Sequence, residues 1–478
     1  MHIQTKPMQT HWDTIIIGAG MSGLAAGIRC AQFEQDVLVL DRHSLWGGLN
    51  SFYKKAGRRF DVGLHALTNY VPKGTKGKPL ARILRQLRLP YDALELGEQV
   101  GSEVAFPGVK LKFSNDFELL RAEVKAKFPS QAAGFDRLAA DLASYPDLPA
   151  DGLVLMSRTK LAEYLSDPLL VDMLLLPLLY YGSPTPHDLE WSSFVVLWKS
   201  LYEEGFARPR GGVRTILDLL RKRYAELGGQ LKMNAGVASI QSDTGVDGKH
   251  AARGLTLEDG TQLSAERILS SAGYVETMRL VGGDLAATEG AKEKAGRMTF
   301  VECVTMLDQL PVDLGHETTI CFFNTETEAV YGPPDEAVDY RSGVICCPDN
   351  YAGQDPGKEG VFRLTLQANY DRWTGFPNEE AYKAAKQVAW DQGHAAAAPF
   401  AFDARPHATY VDTFTPRTIE HFTGHVNGAV YGAPEKRSTG ETPLESLFVC
   451  GTDQGFLGIV GACLSGIAMA NRHALTTS

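Results

Sequence analysis

A run of glycines near the amino terminus has the residue type and spacing to hold a phosphate. Thr14-Ile15-Ile16-Ile17 leads into Gly18-Ala19-Gly20-Met21-Ser22-Gly23 and then Leu24-Ala25-Ala26-Gly27-Ile28. This reads as a buried strand, a tight turn and a helix. Gly18 allows the turn and Gly20 lets a pyrophosphate approach the backbone. Gly23 lets helix and strand pack closely, so the anion sits with Met21 and Ser22 at the positive start of the helix. A second apolar strand, Val37-Leu38-Val39-Leu40, ends at Asp41-Arg42. That places a carboxylate about 20 residues downstream, where it can accept from ribose hydroxyls. Gly47-Gly48-Leu49-Asn50 comes next. A second glycine pair beyond the ribose carboxylate suits the ribityl arm of a flavin dinucleotide better than a nicotinamide, so noncovalent FAD is the expected cofactor.

The carboxyl terminus supplies a matching half. Leu447-Phe448-Val449-Cys450 reads as a buried strand, followed by Gly451-Thr452-Asp453, Gly458-Ile459-Val460-Gly461 and a helix of small residues. Asp453 can hold ribityl or ribose hydroxyls. The helix start offers N–H groups and a positive dipole to the flavin pyrimidine edge, which becomes anionic on reduction. In between, Arg210-Gly211-Gly212-Val213 opens an amphipathic helix that leads to Val237-Ala238-Ser239-Ile240 and on to Ser270-Ser271-Ala272-Gly273. Three separated pieces of chain are expected to build one sheet. Cys450 could carry a covalent flavin link, but its place inside a strand favours packing. The seven cysteines and twelve histidines show no ligand spacing, and no metal is expected.

Two histidines are candidates for proton transfer. Asp61-Val62-Gly63-Leu64-His65 leads out of the cofactor cradle toward the catalytic face, and His65 could donate or accept a proton near neutral pH. His425 could line the same cavity. Each has a structural alternative, a ring hydrogen bonded to its surroundings, and Asp61 reads as a residue that ties down the loop.

In this order the three blocks resemble the flavin amine oxidase superfamily, in particular the branch of phytoene desaturases, carotenoid isomerases and retinol saturase. The resemblance spans most of the chain. It implies Gly18, Gly20 and Gly23 at the pyrophosphate, Asp41 at the adenosine ribose and Gly47 to Asn50 along the cofactor. It also implies Val237 beside the adenine, and Asp453 with Gly458, Ile459, Val460 and Gly461 at the ribityl and flavin. Two departures stand out. Many relatives have Glu where this chain has Asp41, and many amine oxidases have Arg where it has Leu49. The strand-like stretch 298–307 also lacks the lysine associated with amine oxidase oxygen chemistry. Both the missing Arg and the missing Lys count against an amine oxidase.

The chain has 478 residues, enough for two or three compact units. The expected fold is α/β: a discontinuous Rossmann-like FAD-binding domain of the glutathione reductase type (residues 1–79, 207–282 and 443–478) carrying an α+β substrate domain. That second domain would be mainly helical over 80–206 and an antiparallel sheet over 283–442. With 47 basic against 57 acidic residues, no global positive field exists to hold nucleic acid. Residues 153–165, 169–181 and 191–202 are rich in leucine and aromatics. They suit either an ordinary helical core or a tunnel for a long hydrocarbon, whose burial is worth ~25 cal/mol per Å². The basic amphipathic stretch 80–88 would either lie on an anionic membrane or pack as a solvated helix face. The absence of an apolar leader, the cysteine usage and the short apolar runs point to the cytoplasm, with any membrane contact peripheral at the inner face.

The resemblance implies an FAD-dependent oxidoreductase acting on an apolar isoprenoid. Carotenoid desaturation or cis–trans isomerisation is expected, by hydride transfer to or from flavin N5 with a proton leaving the adjacent carbon. The alternatives are a flavin oxidase of amines or of a protoporphyrinogen-type substrate, and a flavin- and lipid-binding carrier without catalysis.

Overall fold

The computed structural model describes residues 9–63, 65–145, 155–244, 250–355 and 357–476. Its organising element is a parallel sheet assembled from the three chain segments. Gln230–Lys232, Val37–Leu40, His11–Ile17, Gln262–Ser270 and Leu447–Val449 lie side by side in that order, all parallel. The central strands are buried on both faces, as expected of near-continuous apolar runs. Val237–Thr244 and His250–Leu257 add an antiparallel extension at the start of Gln262–Ser270.

Helices Met21–Ala31, Val213–Glu226 and Gly458–Met469 share one core on this sheet. Small residues allow the first and last of these to approach closely. A Cβ at Gly466 would lie 2.0 Å from the Ser22 carbonyl oxygen. The basic stretch 80–88 belongs to the same core. It forms helix Pro79–Leu87, whose Leu80, Ile83, Leu84 and Leu87 are buried against Met21–Ala31 and Gly458–Met469. Of the two alternatives for this stretch the structure shows the packed one: the apolar face is covered by the protein itself, while Arg82, Arg85 and Arg88 face outward. None of the described helices is long and apolar enough to cross a membrane.

A second seven-stranded sheet runs Ala408–Phe414, Thr299–Leu307, Gly360–Ala368, Val338–Cys346, Ile320–Asn324, Ser102–Phe106, Val109–Phe113. It is antiparallel except where Ile320–Asn324 meets Ser102–Phe106. Alternation along its strands makes two faces. Val301, Cys303, Leu364 and Leu366 pack with Trp390 of helix Glu379–Ala397. The opposite face, with Phe300, Phe322 and Val344, meets helices Pro168–Gly182 and Trp191–Trp198. The stretch expected as a helix over 153–165 is helical only at Ser157–Leu161, with 153 and 154 outside the described residues.

Candidate active site

A cavity of about 790 Å³ runs from the ends of the parallel strands to the inner face of the second sheet. Its floor is the expected cradle. Gly18, Gly20, Met21, Ser22, Asp41, Arg42, Gly47, Gly48, Leu49 and Asn50 line it, joined by Val237, Ala272, Gly273, Gly451, Asp453, Gly458 and Ile459. The two glycine loops meet there. Gly20 bridges to Gly47, and the Gly47 N–H donates to the Ala19 carbonyl at 2.9 Å.

Three of the residues expected at the cofactor, Gly23, Val460 and Gly461, do not line the cavity. A Cβ at Gly23 would sit 1.9 Å from the Gly18 carbonyl oxygen, so its glycine serves the close helix–strand packing expected of it. Val460 is 2% exposed and packs in the helical core, because it sits on the inward face of its helix.

Several expected ligand groups are already engaged by the protein. Asp41 accepts from the Ala19 N–H and the His43 N–H, each at 2.8 Å. A carboxylate has about four acceptor positions, so capacity for sugar hydroxyls remains. Asp453 accepts from the Tyr274 N–H at 2.6 Å and the Ala433 N–H at 2.7 Å, tying three stretches of chain together at the cavity. The Arg42 guanidinium donates to the carbonyls of Glu420 and His421 at 3.3 and 2.6 Å. These belong to the carbonyl-rich end of helix Pro416–Thr423, which favours a cation.

The cradle fits a dinucleotide. Helix Met21–Ala31 begins at Gly20, and helix Gly458–Met469 begins at Leu457, neither with a side-chain cap. Both starts lie in the cavity wall. Two uncapped helix starts present positive ends and N–H donors, one for a pyrophosphate and one for a ring edge that gains negative charge. Cys450 also lines the wall, but burial pushes its thiol up to about 12, far from the thiolate that covalent chemistry requires.

The far end of the cavity combines an aromatic wall with a charged cluster. Tyr180, Tyr181, Phe300, Val344, Val430, Tyr431 and Leu457 form the wall. His65 Nε2 lies 3.0 Å from Thr365 Oγ1 and 3.7 Å from Glu302 Oε1. The His65 carbonyl accepts from the Tyr351 hydroxyl at 3.0 Å. Arg363 Nε donates to Glu302 at 2.5 Å. Arg208 pairs with Asp61 at 2.7 Å, which fixes the loop carrying His65. Burial alone would raise the Glu302 carboxyl, but the Arg363 charge and His65 bring it down to about 2. Burial lowers His65 below its ordinary 6.5, Arg363 and Arg208 act the same way, and Glu302 pulls against them.

His425 has other neighbours. Its Nδ1 is 3.7 Å from Glu276, whose carboxylate also accepts from the Val426 N–H at 2.8 Å. Burial works against the charge on both members of this pair. Their mutual attraction prevails, raising His425 and lowering Glu276. This pair stands beside Gly273, in the dinucleotide half of the cavity.

Glu302, Arg363, Thr365, Glu276 and the tyrosines of the wall did not stand out from spacing. A usable signal exists for two of them. Glu302 and Arg363 are lone charges inside apolar runs, Phe300-Val301-Glu302-Cys303 and Val361-Phe362-Arg363-Leu364. Charges so placed are buried and call for partners.

Known proteins resemble this chain in sequence and in fold. Residues 16–87 match the NAD(P)-binding Rossmann-like domain. The chain is 29% identical over 305 residues to phytoene desaturase of Neurospora crassa, covering 55% of this chain and about half (49%) of that protein. It is 22% identical over 511 residues to the chloroplastic prolycopene isomerase of Arabidopsis thaliana, covering 97% and 82%. An engineered putrescine oxidase shares the fold with a TM-score of 0.64 at 13% identity, covering 96% of this chain and 98% of that one. The chain is thus similar in sequence to phytoene desaturases and carotenoid isomerases and similar in fold to a flavin amine oxidase.

Proposed function

We propose that this chain binds FAD noncovalently and uses it on a long apolar isoprenoid, by desaturation or redox-assisted cis–trans isomerisation of a carotenoid-type polyene. The observation that carries the reading is the aromatic wall Tyr180, Tyr181, Phe300 and Tyr431, which shares one cavity with the glycine cradle. A polyene offers almost only apolar area, and such a wall both binds it and keeps water away. Bound in the cradle, FAD supplies two-electron redox chemistry. Gly18, Gly20 and the start of helix Met21–Ala31 hold its pyrophosphate, Asp41 a ribose, and the start of helix Gly458–Met469 the ring edge. His65, neutral near pH 7, accepts the proton at Nε2. Glu302, anionic and 3.7 Å away, balances the charge that His65 then gains.

Incubation of the holoprotein with phytoene, a cis-carotenoid or an aliphatic amine, followed by pigment chromatography and peroxide assay, tests the reading. A more conjugated or isomerised pigment is expected. Rapid peroxide from the amine with unchanged pigments would contradict it and favour an amine oxidase.

A further inference from the structure

His425 stands where the parts of the cradle meet. Its Nδ1 lies 3.4 Å from the position a Cβ would take at Gly273, just past strand Gln262–Ser270. From the same turn the Ser271 hydroxyl donates to the Gly18 carbonyl at 3.3 Å, and the Tyr274 N–H donates to Asp453 at 2.6 Å. On its other side, a Cβ at the adjacent Gly424 would lie 3.1 Å from the guanidinium of Arg42, the residue after Asp41. The ring thus stands between Arg42 and Asp453, and the Ser271 turn joins it to Gly18.

The backbone around the ring is fixed while the ring stays accessible. The His425 N–H donates to Thr423 Oγ1 at 3.2 Å, and the Val426 N–H donates to Glu276 at 2.8 Å. Nδ1 faces Glu276 at 3.7 Å, and the side chain keeps 15% of its surface open in the cavity wall. Nε2 has no hydrogen-bond partner among the described residues, so it is the nitrogen left for a ligand.

We propose that His425 Nε2 donates a hydrogen bond to the diphosphate of the dinucleotide, a contact supplied from outside both glycine loops. This rests on the FAD reading above and extends it to a residue that otherwise reads as a candidate for proton transfer. In FAD the diphosphate joins the adenosine ribose to the ribityl arm, so a cation between the carboxylates expected at those two sugars faces it. Three charged groups face the ring: Glu276 on helix Tyr274–Val281, Asp453 beyond strand Leu447–Val449, and Arg42 beyond strand Val37–Leu40. Burial opposes the imidazolium, Glu276 and Asp453 favour it, and Arg42 opposes it; the carboxylates prevail and raise the ring above its ordinary 6.5. An imidazolium donates at both nitrogens, so Nδ1 serves Glu276 while Nε2 serves the anion. Binding of the anion in turn favours the protonated ring, so FAD affinity should fall as pH rises through the value of the ring in the apoprotein.

FAD dissociation constants of the full-length protein, read from the fluorescence of released FAD between about pH 6 and about pH 9, test this directly, with circular dichroism as the fold control. Wild type is expected to lose affinity by about tenfold across the range, the size of one charge-assisted hydrogen bond. His425→Gln should bind FAD about tenfold more weakly at the acid end and show no such pH dependence. Glu276→Gln keeps the ring but removes a carboxylate that raises it, so the fall should move to lower pH; this variant carries the test if His425→Gln does not fold. Competition of ADP and of adenosine against FAD locates the contact, since the advantage of ADP should shrink about tenfold in His425→Gln. A wild-type affinity that is flat with pH, a slope that survives in His425→Gln, or an unchanged ratio of ADP to adenosine affinity overturns the proposal while FAD binding stands. A wild type that binds no FAD overturns the cofactor reading along with it.

Discussion

In the proposed reaction, His65 sets how the site responds to pH. Its proton affinity is lowered by burial, so it is a competent acceptor throughout the neutral range. The rate of flavin reduction by substrate should therefore be level above pH 6.5 and fall only below the ordinary histidine range. His65→Gln should lower that rate per bound flavin by about 10² to 10⁴-fold. Glu302→Gln removes the charge that pulls His65 upward and should move the acid limb to still lower pH, which rapid-mixing rates across pH would reveal. The same substitution strips Arg363 of its carboxylate in a buried pair, at a cost of about 3–5 kcal/mol, so the thermal midpoint should drop as well. Because Glu302 titrates near 2 when folded against an ordinary 4.5, its contribution is complete above pH 4.5 and is lost as pH falls toward 2. His425 has the opposite sign: its folded value is raised, so its contribution is present below pH 6.5 and lost as pH rises through that folded value.

Among the elements, the first glycine loop and its helix separate cofactor binding from packing. A Cβ at Gly20 would find only the Gly47 carbonyl oxygen at 3.9 Å, so the protein itself tolerates a small side chain there. A Cβ at Gly23 would sit 1.9 Å from the Gly18 oxygen. Gly20→Val should keep the fold and lose FAD, whereas Gly23→Val should lose both. Circular dichroism with flavin absorbance distinguishes the two, and stoichiometric FAD in purified Gly20→Val would refute the placement of the phosphate. The cradle was legible in the sequence because turn, close approach and helix start each demand a residue type at fixed spacing. Helix Pro79–Leu87 was less legible, since a basic amphipathic pattern reads alike on a membrane and on a protein; only the neighbouring Gly458–Met469, hundreds of residues away, decides the matter. The Glu302–Arg363 pair was invisible to spacing for the same reason, since adjacent antiparallel strands bring together residues 61 positions apart.

Segments far apart in the chain close around the cavity of the candidate site: the first strands, the middle helix–strand unit and the last helix share a sheet and a core. A ligand touching all of them should stabilise the fold as a unit, so the thermal midpoint of apoprotein should climb with added FAD as the binding linkage requires. An unmoved midpoint at saturating FAD would count against a cradle drawn from both chain ends. The central claim is that the cradle and the aromatic wall serve one reaction. Anaerobic absorbance titration of the holoprotein with a polyene substrate tests it most directly, following the flavin band and the polyene band together. The account predicts that the flavin bleaches in step with a change in the polyene spectrum, or that a pre-reduced flavin is needed for the polyene to isomerise. A flavin and a polyene that both remain unchanged in either redox state, while an amine bleaches the flavin, would contradict it.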